Sequence, residues 1–214
     1  MPSEMLAQLA RARVVPVVRA PDAGRAVAAC RTLKAGGLAL VEVALTTPNG
    51  VDAIRQLARD GFQVGAGTVM DAAQARAAIA AGASFVVSPC LVPEVLAVAR
   101  EAGVLAIPGA LTPTEVQAAA SLGVELIKVF PVASVGGPAY LRLLLDPFPS
   151  LRFFPSGGVG LAEAAAYWAS GAVALGVASA VAPQAAIAAN DQDHILALAR
   201  QWSALVQNHH GPTH

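Results

Sequence analysis

Lys128 and Glu42 are the two residues of this chain that most need a chemical explanation. Lys128 stands in Leu126-Ile127-Lys128-Val129-Phe130, and Glu42 in Leu40-Val41-Glu42-Val43. Each is a charge inside an apolar run of the kind that forms a buried strand. A lone charge in such a place costs several kcal/mol unless it is paired or gives up its charge. Two readings are open. In one, the residues are a buried ion pair that ties the interior shut. In the other, desolvation lowers the pKa of the lysine and leaves a neutral amine able to attack a ketone. The glutamate then moves protons, directly or through a water, as the imine becomes an enamine.

The elements that must hold these residues announce themselves as a rhythm. Ala-rich helical segments end repeatedly in a glycine: Gly36, Gly61, Gly82, Gly103, Gly123 and Gly171. Glycine closes a helix there because it takes the left-handed conformation readily. The spacing is 20–25 residues up to Gly123, and the 48 residues from there to Gly171 make two units divided by the turn at Asp146–Ser150. A short apolar run follows each glycine or turn: Leu38–Val43, Gln63–Gly65, Ser84–Val87, Val104–Ile107, Val124–Val129, Arg152–Phe154 and Val173–Leu175, with Val14–Val18 before the first. Eight strands alternating with helices predict an α/β fold of the (β/α)8 TIM barrel type, as a single domain with a short N-terminal helix. An open doubly wound sheet shares the alternation but usually has fewer units.

Composition narrows the class. The chain has 214 residues, 56% hydrophobic and 13% charged, with Lys+Arg and Asp+Glu both 14. One domain fills that length, expected over 1–207, with 208–214 a disordered tail carrying three histidines. The balanced charge points to no nucleic acid and no anionic membrane as partner. So much apolar surface instead predicts cover by another subunit. The two cysteines, Cys30 and Cys90, form no CxxC and no Cys/His ligand spacing, so neither a disulfide framework nor a metal site is expected. Cys90 reads as a small apolar filler. The N-terminus does not read as a signal peptide, and no apolar run reaches membrane-spanning length, so a cytoplasmic protein is expected.

In such a barrel the functional groups stand at the C-terminal ends of the strands. Those ends carry Arg19; Glu42 followed by Thr46-Thr47-Pro48-Asn49; Gly67-Thr68; Ser88-Pro89-Cys90; Pro108-Gly109; Lys128 followed by Phe130-Pro131; Ser156-Gly157-Gly158; and Gly176 to Ser179. Strands two and six of eight face each other, so Lys128 and Glu42 are expected to meet across the interior. Arg19 is suited to a bidentate clamp on a carboxylate or phosphate, or else is a solvated residue opening a loop. Pro89 and Phe130 read as apolar walls or as plain loop and core. Thr68 offers a hydroxyl. The loops with Ser156, Gly157, Gly158 and Ser179 let backbone amides approach a phosphate, unless they are ordinary tight turns. No cofactor and no metal is expected.

At this point the residues match a family. VVPVVRA (14–20), LVEVALTTP (40–48), VGAGTV (64–69), FVVSP (85–89), IPGALTPTE (107–115), IKVFPVA (127–133), FFPSGGV (153–159) and the Ser179 loop before Pro183 run in order over almost the whole chain. Together they resemble the small class I pyruvate aldolases of 2-keto-3-deoxy-6-phosphogluconate (KDPG) and 4-hydroxy-2-oxoglutarate (KHG) type. The resemblance implies a metal-free homotrimeric barrel that cleaves a 2-keto-3-deoxy sugar acid to pyruvate and an aldehyde. For KDPG the aldehyde is glyceraldehyde 3-phosphate, in the Entner-Doudoroff pathway; for KHG it is glyoxylate. It implies Lys128 as the imine-forming residue and Glu42 as general acid/base. Thr68 and Pro89 then line the pyruvate pocket, Phe130 packs on it, and Ser156, Gly157, Gly158 and Ser179 hold the distal phosphate. Three features depart from the common pattern. Thr46 stands where many members carry a carboxylate-binding arginine, a task Arg19 would inherit. Ser156 replaces a threonine, and Val177-Ala178-Ser179-Ala180 replaces Gly-Gly-Ser-Trp. The Thr46-Thr47-Pro48 stretch leans towards the galactonate-type relatives. The alternatives are an aldolase for the galactonate epimer or for an aldol with another terminal anion, a phosphate-handling barrel without an imine, and a non-catalytic binding barrel.

Overall fold

Along residues 2–209, which the computed structural model describes, short parallel strands alternate with helices. The strands are β1 (Val14–Val18), β2 (Leu40–Ala44), β3 (Gln63–Gly67), β4 (Phe85–Val87), β5 (Leu105–Ile107), β6 (Gly109–Ala110), β7 (Ile127–Val129), β8 (Phe153–Pro155) and β9 (Leu175–Val177). Six of them form one sheet in the order β5-β4-β3-β2-β1-β9, and the other three a second, β6-β7-β8. The ladders are parallel throughout. The result is an α/β fold built on a curled parallel sheet.

The expected strands are all found, with shifted ends. The fifth differs most: beyond the expected run, Pro108, which has no amide hydrogen for a ladder, is followed by a further short strand, β6. The Pro108 carbonyl still accepts the Lys128 N–H at 2.8 Å. Val124–Val129 contracts to β7 because burial begins only at Leu126, after exposed Glu125. The last expected strand, Val173–Leu175, moves on to Leu175–Val177. At that edge, isolated bridges pair Phe153 with Ala172 and Ser156 with Gly176.

Side chains along a strand alternate between its faces, and here the alternation separates two cores. One face of the strands and the helices packed on it bury Val41, Val43, Ile127, Val129, Phe153 and Leu175. The other face buries Val15, Leu40, Phe85, Val87, Leu105, Ile107, Leu126, Phe154 and Ala174, closed by Met5, Leu6 and Leu9 of α1 (Pro2–Ala12). Lys128 lies two residues after Leu126, and Glu42 two after Leu40. Both therefore belong to the second face, one pleat beyond its apolar filling.

The helices are set by ordinary local rules. Asp22 caps α2 (Ala23–Ala35) by accepting the Arg25 N–H at 2.8 Å. In α3 (Gly50–Arg59), Ala53, Ile54 and Leu57 form the buried stripe. The last helix, Gln192–His209, buries Trp202, whose indole N–H donates to the Ala180 carbonyl at 3.1 Å. Of the expected tail at 208–214, Asn208 and His209 lie within this helix, and 210–214 fall outside the described residues. Among the described residues no helix is long and apolar enough to cross a membrane.

Candidate active site

Lys128 and Glu42 are both buried, at 6% and 1% exposure. Gly67, on the neighbouring strand β3, makes room for the glutamate. A Cβ at that position would stand 1.9 Å from Glu42 Oε1. Oε2 is buried without a hydrogen-bond partner. Among the described residues no salt bridge joins Glu42 to Lys128, so the reading as a closed ion pair is not what the fold contains. Their charges act through space. Burial raises the pKa of Glu42 above the usual carboxylate value, and the nearby charges of Lys128 and then Arg19 pull it partly back down. A carboxyl so balanced can hold a proton and release it, which general acid/base work requires. The Lys128 ammonium lies 5.1 Å from the centroid of the Phe130 ring, itself 37% exposed. The amine thus has an apolar wall on one side and a carboxyl within electrostatic reach.

The rim is contributed by loops that follow the strands. Arg19 follows β1 and donates from Nε to Thr46 Oγ1 at 2.9 Å. Its two terminal nitrogens make no hydrogen bond among the described residues, which leaves a guanidinium fork for an anion. Thr68 follows β3 in the left-handed conformation, at φ 58°, half-buried. Pro89, Cys90 and Leu91 share with Gly109, Ala110, Leu111, Glu115 and Phe130 a cavity of about 390 Å³. Cys90 lines this cavity at the mouth but is exposed, so it is not packed as the small apolar filler expected there.

The loop Ser156-Gly157-Gly158 is built for close backbone approach. Gly157 and Gly158 have φ of 86° and 83°. A Cβ on Gly157 would lie 2.8 Å from the Phe130 ring, and one on Gly158 2.6 Å from the Ala133 methyl. The amides of Gly158 and Ser179 donate no hydrogen bond among the described residues, as an anion site needs. Ser179 is exposed. Ser156 is different: it is buried, and its hydroxyl donates to the Gly176 carbonyl at 3.0 Å. Its hydrogen therefore links the loops after β8 and at β9 instead of pointing at a ligand.

Three residues named at the strand ends make contacts that the sequence did not show. Thr47, 1% exposed, accepts the Ala20 N–H on Oγ1 at 3.1 Å. Ser88, 2% exposed, donates to the Val69 carbonyl at 2.6 Å. Both tie successive strand ends together, and nothing in the sequence marks a buried threonine beside an exposed one. Gly67 was legible as a strand-end residue that lets the backbone come close, but its contact with Glu42 depends on the register Glu42↔Gly65 between β2 and β3.

Sequence comparison matches residues 5–198 to the family described as KDPG and KHG aldolase. The chain is similar to a 2-dehydro-3-deoxy-phosphogluconate aldolase of Treponema pallidum, at 38% identity over 92% of this chain and 95% of that protein. Among solved structures it is similar to the KDPG aldolase of Legionella pneumophila, with pyruvate captured at low pH as a covalent carbinolamine intermediate. The TM-score is 0.83 at 29% identity, covering 91% of this chain and 96% of that one. It is also similar to the 2-keto-3-deoxy-6-phosphogluconate aldolase of Zymomonas mobilis with 3-phosphoglycerate. There the TM-score is 0.82 at 31% identity, over 94% and 95% of the two chains.

Proposed function

Since the chain belongs to the KDPG and KHG aldolase family, we propose that it cleaves 2-keto-3-deoxy-6-phosphogluconate to pyruvate and glyceraldehyde 3-phosphate as a class I aldolase, with Lys128 forming the imine. The observation that carries this reading is a lysine buried on the inner strand face beside an unpartnered, buried glutamate.

The Lys128 nitrogen adds to the C2 carbonyl, and the carbinolamine loses water to give a protonated imine. Glu42 Oε2, with no protein partner, takes the proton of the C4 hydroxyl as the C3–C4 bond breaks. The bond's electrons move into the imine to make an enamine, and the aldehyde leaves. Glu42 returns its proton to C3, and water releases pyruvate from the lysine. The Glu42 carboxyl suits both halves because burial raises its pKa while Lys128 and Arg19 keep its ionised form accessible. Arg19, with Thr46 behind it, holds the carboxylate. Thr68, Pro89 and Phe130 shape the pyruvate end. Gly157, Gly158 and Ser179 meet the distal anion through backbone amides and one hydroxyl, with Ser156 bracing their loop. Because Ser156 spends its hydrogen on Gly176, the distal end is held mainly by backbone. That supports a tolerant site which also takes the carboxylate of 4-hydroxy-2-oxoglutarate.

The two sheets are, in this reading, arcs of one (β/α)8 barrel. Support comes from β5 running on into β6 across Pro108 and from the bridges of Ser156 to Gly176 and Phe153 to Ala172. A homotrimer fits the apolar side chains left on the outside, Leu143 at 64% exposure and Val135 at 38%. Light scattering should then give three times 21.5 kDa; a monomer mass would overturn it. A substrate carrying both a carboxylate and a phosphate does not cross a bilayer unaided, which supports work in the cytoplasm.

Incubation with pyruvate and borohydride tests the central claim. A pyruvyl mass should appear on Lys128 and on no other lysine, and cleavage should release pyruvate. Folded protein with no adduct at Lys128 overturns the reading.

A further inference from the structure

We propose that Thr46 and Thr47 form a two-point clamp that positions Arg19 over Glu42, with Thr47 fixing the backbone of the β1 end and Thr46 fixing the guanidinium. This rests on the assignment of Arg19 and Glu42 to the aldolase site.

The β1–β2 register sets Val17 opposite Glu42 and Val18 opposite Val43. Arg19 therefore leaves β1 one pleat beyond the glutamate, on the same inner face. At that point the ladder between the strands ends. A free strand end carrying a long, rotatable side chain would spread its guanidinium over many positions. Two hydroxyls from the loop after β2 replace the missing ladder. Thr47 Oγ1 accepts the Ala20 N–H at 3.1 Å, directly after Arg19, and the threonine is itself only 1% exposed. Thr46 Oγ1 accepts Arg19 Nε at 2.9 Å. Adjacent residues of one loop thus hold the main chain and the side chain of one arginine. Thr46 takes Nε, and the two terminal nitrogens, the end-on fork of the guanidinium, make no hydrogen bond among the described residues, as a clamp on an anionic group requires.

The consequence reaches the proton chemistry. The charges acting on Glu42 are Lys128 from β7 and Arg19 just after β1, and both lower its pKa against burial. Gly67, the β3 residue packed on it, adds no charge. On the outer side of β2, three cations of α2 and α3 are engaged: Arg31 with Asp60, Arg55 with Asp52, and Lys34 over the Phe62 ring. Arg25, whose Nη1 is buried without a hydrogen-bond partner, and Arg59 also belong to those outer helices, and neither is among the charges acting on Glu42. Arg19 is then the charge on Glu42 whose place depends on the two threonines. They are positioning residues: neither needs to touch reacting atoms.

Thr47→Val keeps the shape and removes the acceptor. We expect KM for the keto acid to rise about tenfold, the scale of one charge-assisted hydrogen bond, because a displaced Arg19 loses such a bond to the substrate carboxylate. We also expect the acidic limb of kcat/KM to move to higher pH, because Glu42 loses part of the cation that favours its ionised form. Thr47→Ser should restore both. In an Arg19→Met background Thr47→Val should add no further change. A thermal shift alone, with KM and pH profile as in the unaltered protein, overturns the proposal. So does an effect that is additive with Arg19→Met. If Thr47→Val does not fold, exposed Thr46→Val decides by the same two readouts. Borohydride trapping of pyruvate on these variants separates the two levels: an intact adduct with an unmoved KM and pH limb rejects the clamp alone, and a missing adduct in the unaltered protein rejects the aldolase reading.

Discussion

Gly67→Ala is the smallest change that should test the Glu42 assignment, because it alters neither charge nor any hydrogen-bonding group. A Cβ at position 67 would lie 1.9 Å from Glu42 Oε1 and 2.6 Å from its carboxyl carbon. Since 3.0 Å is about the closest approach real Cβ atoms make, the carboxylate must retreat by roughly 1.1 Å. Displacing a catalytic group by about 1 Å costs on the order of 10²-fold in rate, or about 2.7 kcal/mol of transition-state stabilisation. The strand itself should survive, because position 67 ends β3 with an ordinary extended conformation and not a left-handed one. Pyruvate release, read continuously through lactate dehydrogenase and NADH, gives kcat/KM for the cleavage. The alanine variant should lose about 10²-fold, with little change in Tm. In a Glu42→Gln background the same substitution should cost almost nothing further, since the group it displaces is already inactive. Gly67→Ala within a few-fold of the unaltered protein would refute the reasoning, as would an undiminished loss in the Gln background, which would place the damage elsewhere.

Other outcomes follow from the same contacts. Glu42 has a folded-state pKa raised by burial, so its contribution to stability is full below the unfolded value near 4.3 and fades as pH rises through the folded one. Glu42→Gln cannot ionise, so its Tm should gain on the unaltered protein between pH 4 and pH 8 even as cleavage is lost; a constant or shrinking gap contradicts this. Thr112 and Glu115 form a reciprocal cap on the helix Pro113–Ser121, with the Glu115 carboxylate accepting the Leu111 and Thr112 amides at 2.8 Å. Thr112→Ala should cost about 1 kcal/mol, seen as a fall of roughly 2–4 °C in Tm, with KM unchanged. Trp202→Ala removes a fully buried ring and its bond to Ala180. It should destabilise by about 3–5 kcal/mol, measured by urea unfolding, and an effect under 1 kcal/mol would show that the last helix is not part of the cooperative core.

Local rules in the sequence determined a good deal of this protein. Glycine after most of the helices set the period, although Gly36 itself has φ −84° and the left-handed turn falls on Gly37, and apolar runs located eight of the nine strands, all but β6, because a strand buried on both faces carries no alternation to hide it. Lys128 and Glu42 were conspicuous for the same reason: a charge in such a run has an energetic cost that residue type alone reveals. Arg19, Thr46, Thr68, Pro89, Phe130, Ser156, Gly157, Gly158 and Ser179 were expected in the segments that follow the strands, and they lie there. What those positions do with their hydrogens was not legible. Ser156 bonds Gly176, Cys90 is exposed, and Pro108 is followed by a further short strand. Nor could adjacent threonines be told apart, although one is buried on Ala20 and the other exposed on Arg19. The space that Gly67 leaves for the Glu42 carboxylate was equally hidden. Each of these depends on strand register and on which chain segments meet across the sheet. Those are long-range quantities decided by packing, and no local pattern of residues encodes them.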